Sequence, residues 1–497
     1  VAHPIIFRYI EDAKAANPDL KIIVADPRRS ESAEIADLHL PIKPGSDIAL
    51  FNGMLHVLIN EGMVDQAYID AHTSGFAALS EIVKNYSPAT VAEICGIDAA
   101  AIVQAAKWFG GSGASLSMYC QGLNQSAHGT HNNAGIIHLH LATGQIGKSG
   151  AGPFSLTGQP NAMGGREVGG LSNLMSAHRD LANPVHRAEM AQFWGVPFVP
   201  ATPGKSAVDL FKSLKTGEIK AVWIACTNPA QSLPNQAEVR EALQCAEYVV
   251  LQEAYANTDT ADYADLLLPA TGWGEKYGTV TNSERCITRV MPAVAAPGEA
   301  HHDWQIIVDF ARALGKKLDH AAADRLFPYD NAEAIFNEHR ASTRGRDLDI
   351  SGLSYALLER DGPQQWPYPE GASGGKVRLY EDGVFPTADG KARFVAIEHL
   401  PTADVLSAAA PISLLSGRMR DHWHGMSRTG TVPRLFNLED EPLLAMHPCD
   451  MRHRSLDSGD LVRVSNARGE MKVRVAERPG LQKGRAWMPM HWGSQFM

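Results

Sequence analysis

KIIVADPRRS, residues 21–30, sets a short apolar run against an abrupt polar end. Ile22, Ile23, Val24 and Ala25 form a short apolar run rich in β-branched residues, of the kind that is buried on both faces in a parallel sheet. Asp26-Pro27-Arg28-Arg29-Ser30 then falls at the strand's carboxyl end, the edge where open α/β sheets bind ligands. Upstream, Ile5, Ile6, Tyr9, Ile10 and Ala13 share one side of a helix over residues 5–16, which Asn17-Pro18 ends. Downstream, HLPI (39–42) reads as a second strand leading into Lys43-Pro44-Gly45-Ser46-Asp47. A helix follows with Ile48, Phe51, Met54, Leu55, Leu58 and Ile59 on its apolar face, and Ser46 or Asp47 can cap it. Asp26 and Asp47 each keep two readings. One is a turn residue and an N-cap; the other is nucleotide recognition, a carboxylate accepting from a guanine edge or ribose hydroxyls. No GxGxxG precedes the strand, which argues against an ordinary NAD-type site.

The same pattern recurs further on. In SLSMYCQGLNQSAHGTHNN (115–133) a strand delivers Gln121 and Gln125, and a helix over 131–143 stops at Gly144. His138 and His140 are two apart, so on a helix they face different ways and read as structural rather than as metal ligands. From 206 to 320, IKAVWIACTNPAQS (219–232) places Asn228 at a strand's carboxyl edge, and AEYVVLQEAYANTDTADYADLLLPA (246–270) does so for Gln252 and Glu253. Two α/β segments with matching strand-edge chemistry predict two related nucleotide sites. Residues 321–405, with runs such as DGPQQWPYPEGASGG (361–375), read as a loop-rich connection with little core of its own. After it, PISLLSGRMRDHWHGMSRTG (411–430) is a strand entering a polar turn, LVRVSNARGEMKVRV (461–475) a hairpin, and GRAWMPMHW (484–492) another strand. The expected organisation is an α/β segment over 1–125, a second over 126–320, the connection over 321–405, and a β-barrel over 406–497.

Within the second of these α/β segments lies GQIGKSGAGPFSLTGQPNAMGGREVGG (144–170), in which nine of 27 residues are glycine. It shows neither helical nor strand period and reads as a backbone-led loop, with Phe154, Leu156, Met163 and Val168 as apolar anchors. Gln159 and Arg166 stand out in it: one is a carboxamide with both donor and acceptor, the other a permanent cation whose planar fork suits flat oxyanions.

The run GPFSLTGQPNAMGGREVGG (152–170) resembles the active-site loop of bacterial molybdenum nitrate reductases, most of all the assimilatory type, and the resemblance extends over essentially the whole chain. It implies a molybdopterin-oxidoreductase (DMSO-reductase-like) fold: two Rossmann-like doubly wound segments and a C-terminal barrel. It implies a molybdenum bis(molybdopterin guanine dinucleotide) cofactor, with Gln159 and Arg166 facing the metal from the substrate side. Matching cofactor positions are Asp26, Arg28, Ser30, Gly45, Ser46, Asp47, Gln121, Gln125, Asn228, Gln252, Glu253, Lys276 and Asp303. Further matches are Ser416, Gly417, Arg418, His422, Trp423, His424 and His491, most of them in the segment from Ser416 to Gly425. Nitrate is the implied substrate, an electron-donor protein or reductase subunit the implied partner, and the cytoplasm the implied location. Other enzymes of the superfamily, such as a formate dehydrogenase or a periplasmic nitrate reductase, and a non-catalytic cofactor-binding scaffold are the alternatives.

Bulk properties set outer bounds. The chain has 497 residues, is 44% hydrophobic and 20% charged, and carries a formal charge of −10. That is a globular composition without the basic footprint of a nucleic-acid binder. No run of 18 apolar residues predicts a membrane span. Six cysteines without a CxxC pair fit neither a disulfide scaffold nor a zinc or iron–sulfur site, and read as buried free thiols. Both ends read as cuts. The metal-binding cysteine and the iron–sulfur cluster that the resemblance implies are therefore expected upstream of Val1, and the chain alone is expected to be inactive.

Overall fold

The structure is a computed structural model that describes residues 3–320, 322–436 and 439–493. The readings of the two chain ends, at residues 1–2 and 494–497, lie outside the described residues. The chain forms two compact units, each assembled from separated stretches. Unit 1 comprises Val1–Gly158, Arg378–Asp421 and Leu438–Met490; unit 2 comprises Gln159–Val377, His422–Asn437 and His491–Met497.

Unit 1 begins with the helix Pro4–Ala16, closed by Asn17, and the parallel strands Ile23–Ala25 and Leu38–Leu40. The helix Asp47–Asn60 is buried along most of its length and packs against the helices Pro88–Cys95, Ala99–Gly111 and Gly129–Ala142. Leu50, Leu55, Leu58, Leu79, Ile102, Leu139 and Leu141 meet in one core. A second parallel pair joins Leu116–Tyr119 to Gly152–Ser155. The stretch 378–421 completes this unit. Ala392–Arg393 pairs in parallel with Thr73–Ser74, the Asn52 carboxamide donates to Ile397 O at 2.9 Å, and His399 N–H donates to the Tyr86 hydroxyl at 2.7 Å.

The C-terminal β-rich part is a five-stranded sheet in the order Ser413–Gly417, Arg485–Pro489, Leu443–Met446, Gly469–Glu477, Leu461–Asn466. Its last two strands are the expected hairpin, turning at Ala467-Arg468 between paired Asn466 and Gly469. Leu443–Met446 is a central strand that sequence patterning does not reveal. Leu444, Met446, Val473, Val475 and Ala486 fill the sheet's core.

Unit 2 contains a three-stranded parallel sheet, ordered Leu266–Pro269, Tyr248–Glu253, Ala221–Ala225. The helices Ala207–Lys215 and Gln236–Cys245 pack together, and Phe211, Leu214, Val239 and Leu243 bury against Ile224, Val249 and Leu251. An antiparallel sheet of Gly278–Thr281, Cys286–Val290 and Gln364–Gln365 stands beside it in the chain.

Four expectations are corrected. Residues 144–170 are not one loop: they contain the strand Gly152–Ser155 and the helix Ala162–Glu167, both too short to show a period and both held by tertiary partners. Residues 321–405 do carry core: the helices Ala332–Ser342 and Tyr355–Asp361 lie there, and Leu348, Ile350, Leu353 and Trp366 are buried. The helix at Asp47 has no side-chain cap, because the Ser46 hydroxyl donates instead to Lys43 O at 2.6 Å. Of the six free cysteines only Cys95 is buried, while Cys226 and Cys245 are exposed. His138 and His140, in contrast, are core residues as read. Val395 N–H donates to His138 Nε2 at 3.1 Å, and His140 Nε2 bonds to Ser117 Oγ at 2.8 Å. No single helix among the described residues is long and apolar enough to cross a membrane.

Candidate functional site

The nominated residues divide between the two units, and several of them directly follow strands. In unit 1, Asp26 follows the strand Ile23–Ala25 directly. Its Oδ1 accepts from Arg28 N–H at 2.8 Å, an Asx turn that folds the loop back. Burial raises the Asp26 carboxyl above its usual range, against the Arg28 amide bond and the charges of Arg28 and His39. Burial raises Asp47 as well. The Arg28 guanidinium lies over the Trp487 ring at 4.7 Å, and Arg29 N–H reaches Gly480 O at 3.4 Å. The buried Arg485 donates to Ile42 O at 2.9 Å, and Gln482 donates to Pro41 O at 2.8 Å. Gly45 and Ser46 thereby share a neighbourhood with the strand Arg485–Pro489. Ser416 and Gly417 pair with Met488 and Pro489 of that strand, which brings them to the same edge, and Arg418 follows them. Ser30 precedes the short helix Glu31–Glu34 and donates its N–H to Arg28 O. Gln121 opens the helix Gln121–Asn124 after the strand Leu116–Tyr119, and Gln125 ends it with its N–H on Gln121 O.

In unit 2, Gln252 leaves the central parallel strand and donates from Nε2 to Asp303 Oδ1 at 2.8 Å. Lys276 Nζ lies 2.5 Å from Asp303 Oδ2. Burial opposes the charged form of Asp303, but the bonds from Lys276 and Gln252 win and hold its carboxyl below the usual range. The Oε1 of Gln252, a residue only 1% exposed, has no hydrogen-bond partner among the described residues. An unpaired buried acceptor is costly unless a ligand donor completes it. Asn228 accepts from both the amide and hydroxyl of Thr260, at 3.0 and 2.6 Å. Glu253 accepts locally from Ala254 N–H at 2.7 Å.

Sequence reasoning missed Gln231, the hub of this region. Its Oε1 accepts from Asn228 Nδ2 at 3.1 Å, and its Nε2 donates to Gly425 O at 3.3 Å and to His491 O at 3.1 Å. His491 Nδ1 in turn bonds His424 O at 2.6 Å. His422 is buried among the rings of Phe436, His491 and Trp492, with Nδ1 3.2 Å from Thr429 Oγ1, while Trp423 is exposed. The segment Ser416 to Gly425, contiguous in sequence, is therefore split: Ser416, Gly417 and Arg418 serve unit 1, and His422, Trp423 and His424 serve unit 2. The only early signal for Gln231 was its place one turn after Asn228 in NPAQS.

Gln159 and Arg166 both lie in unit 2 and both are exposed. Arg166 sits on the helix Ala162–Glu167 and has no ion pair among the described residues. The described residues contain no group of three or more His, Cys, Asp or Glu able to hold a metal ion.

Residues 1–313 match the family model "Molybdopterin oxidoreductase", and residues 412–496 match "Molydopterin dinucleotide binding domain". The chain belongs to the molybdopterin oxidoreductase family. It is 40% identical to a nitrate reductase of Synechocystis over 99% of this chain and 69% of that protein. It is 39% identical to a nitrate reductase of Klebsiella oxytoca over 100% of this chain, which spans 56% of that relative's length. An assimilatory nitrate reductase catalytic subunit of Bacillus subtilis is 34% identical over 98% of this chain and 68% of its own length. An F420-dependent formate dehydrogenase subunit of Methanocaldococcus jannaschii is also 34% identical, over 99% of this chain and 70% of the relative. Among solved structures, acetylene hydratase from Pelobacter acetylenicus superposes with a TM-score of 0.72 at 20% identity, covering 97% of this chain and 68% of that one, a likeness of fold.

The donor set fits the dinucleotide that the family binds. Each unit offers a carboxylate with a basic residue next to it: Asp26, after the strand Ile23–Ala25, with Arg28, and Asp303, at the start of the helix Asp303–Lys317, with Lys276. The orphaned Gln252 Oε1 supplies an acceptor for a base or ribose donor.

Proposed function

We propose that this chain forms part of a nitrate reductase of the assimilatory type, acting in the cytoplasm on nitrate with electrons from a donor protein or reductase subunit. The observation that carries the reading is Arg166, an exposed guanidinium without a carboxylate partner among the described residues, in a chain 40% identical to a nitrate reductase. Reducing nitrate to nitrite and water takes two electrons, two protons and an oxygen acceptor, which no side chain supplies. When bound, a molybdenum bis(molybdopterin guanine dinucleotide) provides that acceptor and the electrons.

The protein's own residues bind and orient. Asp26, Arg28, Ser30, Gly45, Ser46, Asp47, Gln121, Gln125, Ser416, Gly417 and Arg418 would hold one dinucleotide. Asn228, Gln252, Glu253, Lys276, Asp303, His422, Trp423, His424 and His491 would hold the other. Arg166 attracts the planar anion with its fork of donors, and Gln159 orients it through its carboxamide N–H. Loss of a charge-assisted bond to an anion costs about 1.5–3 kcal/mol. Arg166→Ala is therefore expected to lower kcat/KM for nitrate by about 10- to 150-fold. The assay is nitrate-dependent oxidation of a reduced viologen by the cofactor-loaded, full-length protein. Unchanged kinetics would remove Arg166 from the reaction.

The formate dehydrogenase relative supports a second reading. Formate-dependent dye reduction without nitrate turnover would establish it. Molybdenum and pterin retained with neither activity would point to a cofactor-binding scaffold.

A further inference from the structure

One residue clamps the short helix Ala162–Glu167 at both ends. Asn161 sits at its N-cap but makes no side-chain bond to the helix; its Oδ1 accepts instead from Thr281 N–H at 2.9 Å. At the other end the Thr281 hydroxyl donates to Glu167 Oε2 at 2.8 Å. The indole N–H of Trp366 donates to the second carboxyl oxygen, Oε1. Glu167, Thr281 and Trp366 are all buried. Gly164 makes room for the arrangement: a Cβ there would lie 2.1 Å from Asn161 Oδ1. Burial raises the Glu167 carboxyl above its usual range, against the bonds from Thr281 and Trp366 and the nearby His178. Glu167 and Thr281 also line a cavity of about 90 Å3 with His339, whose Nε2 has no hydrogen-bond partner among the described residues.

Six residues are too few for a helix to hold itself, so its orientation comes from its anchors. Successive helical side chains point about 100° apart. Burying Glu167 against Thr281 and Trp366 therefore turns its neighbour Arg166 outward, and Arg166 is exposed.

We propose that Glu167 and Thr281 are positioning residues for Arg166: the buried clamp sets the direction of the guanidinium, and neither residue touches the substrate. The inference rests on the reading above, in which Arg166 binds the substrate anion. Two readouts test it on the full chain: nitrate KM and kcat of the cofactor-loaded protein, and amide hydrogen exchange at residues 162–168, which needs no activity. Glu167→Ala removes both acceptors and is expected to raise KM about 10-fold or more while kcat falls less. It should also accelerate exchange at residues 162–168. Glu167→Gln keeps the shape and an acceptor for Trp366, and should return KM to within about 2-fold of the parent. Thr281→Val, which keeps the amide bond to Asn161, should fall between the two and serves if Glu167→Ala does not fold.

The inference is overturned if Glu167→Ala or Thr281→Val lowers thermal stability while KM of the folded enzyme and exchange at 162–168 stay unchanged. Glu167→Gln behaving like Glu167→Ala would overturn it too. Arg166→Ala, measured alongside, separates the two levels. If it raises KM and the clamp variants do not, the clamp alone falls. If it leaves KM unchanged, the anion-site reading falls, and exchange at 162–168 then decides the clamp.

Discussion

His138 and His140 show how much a single residue's setting decides. Two residues apart in HLH, they look like a ligand pair, yet each is enclosed by core. Burial lowers both imidazoles to a pKa of about 4. Val395 N–H donates to the lone pair of His138 Nε2, a bond that protonation would break. An unfolded histidine titrates near 6.5, so between about pH 6.5 and 4 the unfolded chain binds more protons than the folded one. Stability is therefore expected to be flat above about pH 7 and to fall as pH drops through that window. His339 of unit 2, also held near 4 by burial and by the nearby His178, adds to the same slope. Thermal unfolding across pH 4–8 checks this, and His140→Gln should flatten the slope. An unaltered slope in that variant would show that its imidazole is not buried neutral.

Gln231 is the corresponding case for elements. A four-residue helix, Pro229–Ser232, presents it to two segments from far along the chain, the turn at Gly425 and the end at His491. Gly425 is glycine for a physical reason: a Cβ there would lie 1.8 Å from Gln231 Oε1. The carboxamide can move aside only by giving up its bonds to Asn228, Gly425 and His491. Gly425→Ala is expected to cost about 1–3 kcal/mol, read from denaturant unfolding. In a Gln231→Ala background the same change should cost little, because the obstructing group is gone. Equal costs in both backgrounds would show that the two residues do not couple. The helix Ala162–Glu167 follows the same logic, since its hold on Arg166 comes from Thr281 and Trp366, 114 and 199 residues away in sequence.

At the scale of the molecule, unit 1 depends on chain that returns after Val377. Phe394 and Ile397 are buried, the Phe394 ring packs at a tilt against Phe76 at 5.0 Å and His138 at 5.4 Å, and Ile397 O is bonded by Asn52. Phe394→Ala is expected to destabilise unit 1 by about 3–5 kcal/mol. Truncation after Val377 should go further, removing hydrogen-exchange protection from the helices Asp47–Asn60 and Phe76–Val83. Full protection of those helices in the truncated chain would mean that residues 1–158 form a self-sufficient unit.

The sequence by itself determined the local grammar of this protein: KIIVAD as a strand with a polar carboxyl edge, the buried helix after Asp47, the hairpin around Ala467, and the family through SLTGQPNAMGGRE. Each rests on periodicity, turn chemistry or contiguous motif, all of which act over a few residues. Only the tertiary structure decided which strand edges share a unit, that the segment after Ser416 is divided between two units, and that Gln231 bonds Gly425 and His491 and Thr281 bonds Glu167. Those outcomes depend on hydrogen bonds and burial between residues 114 to 345 positions apart. Such contacts leave no periodic trace in the chain, because the partner that satisfies a buried polar group can come from any segment that folding brings beside it.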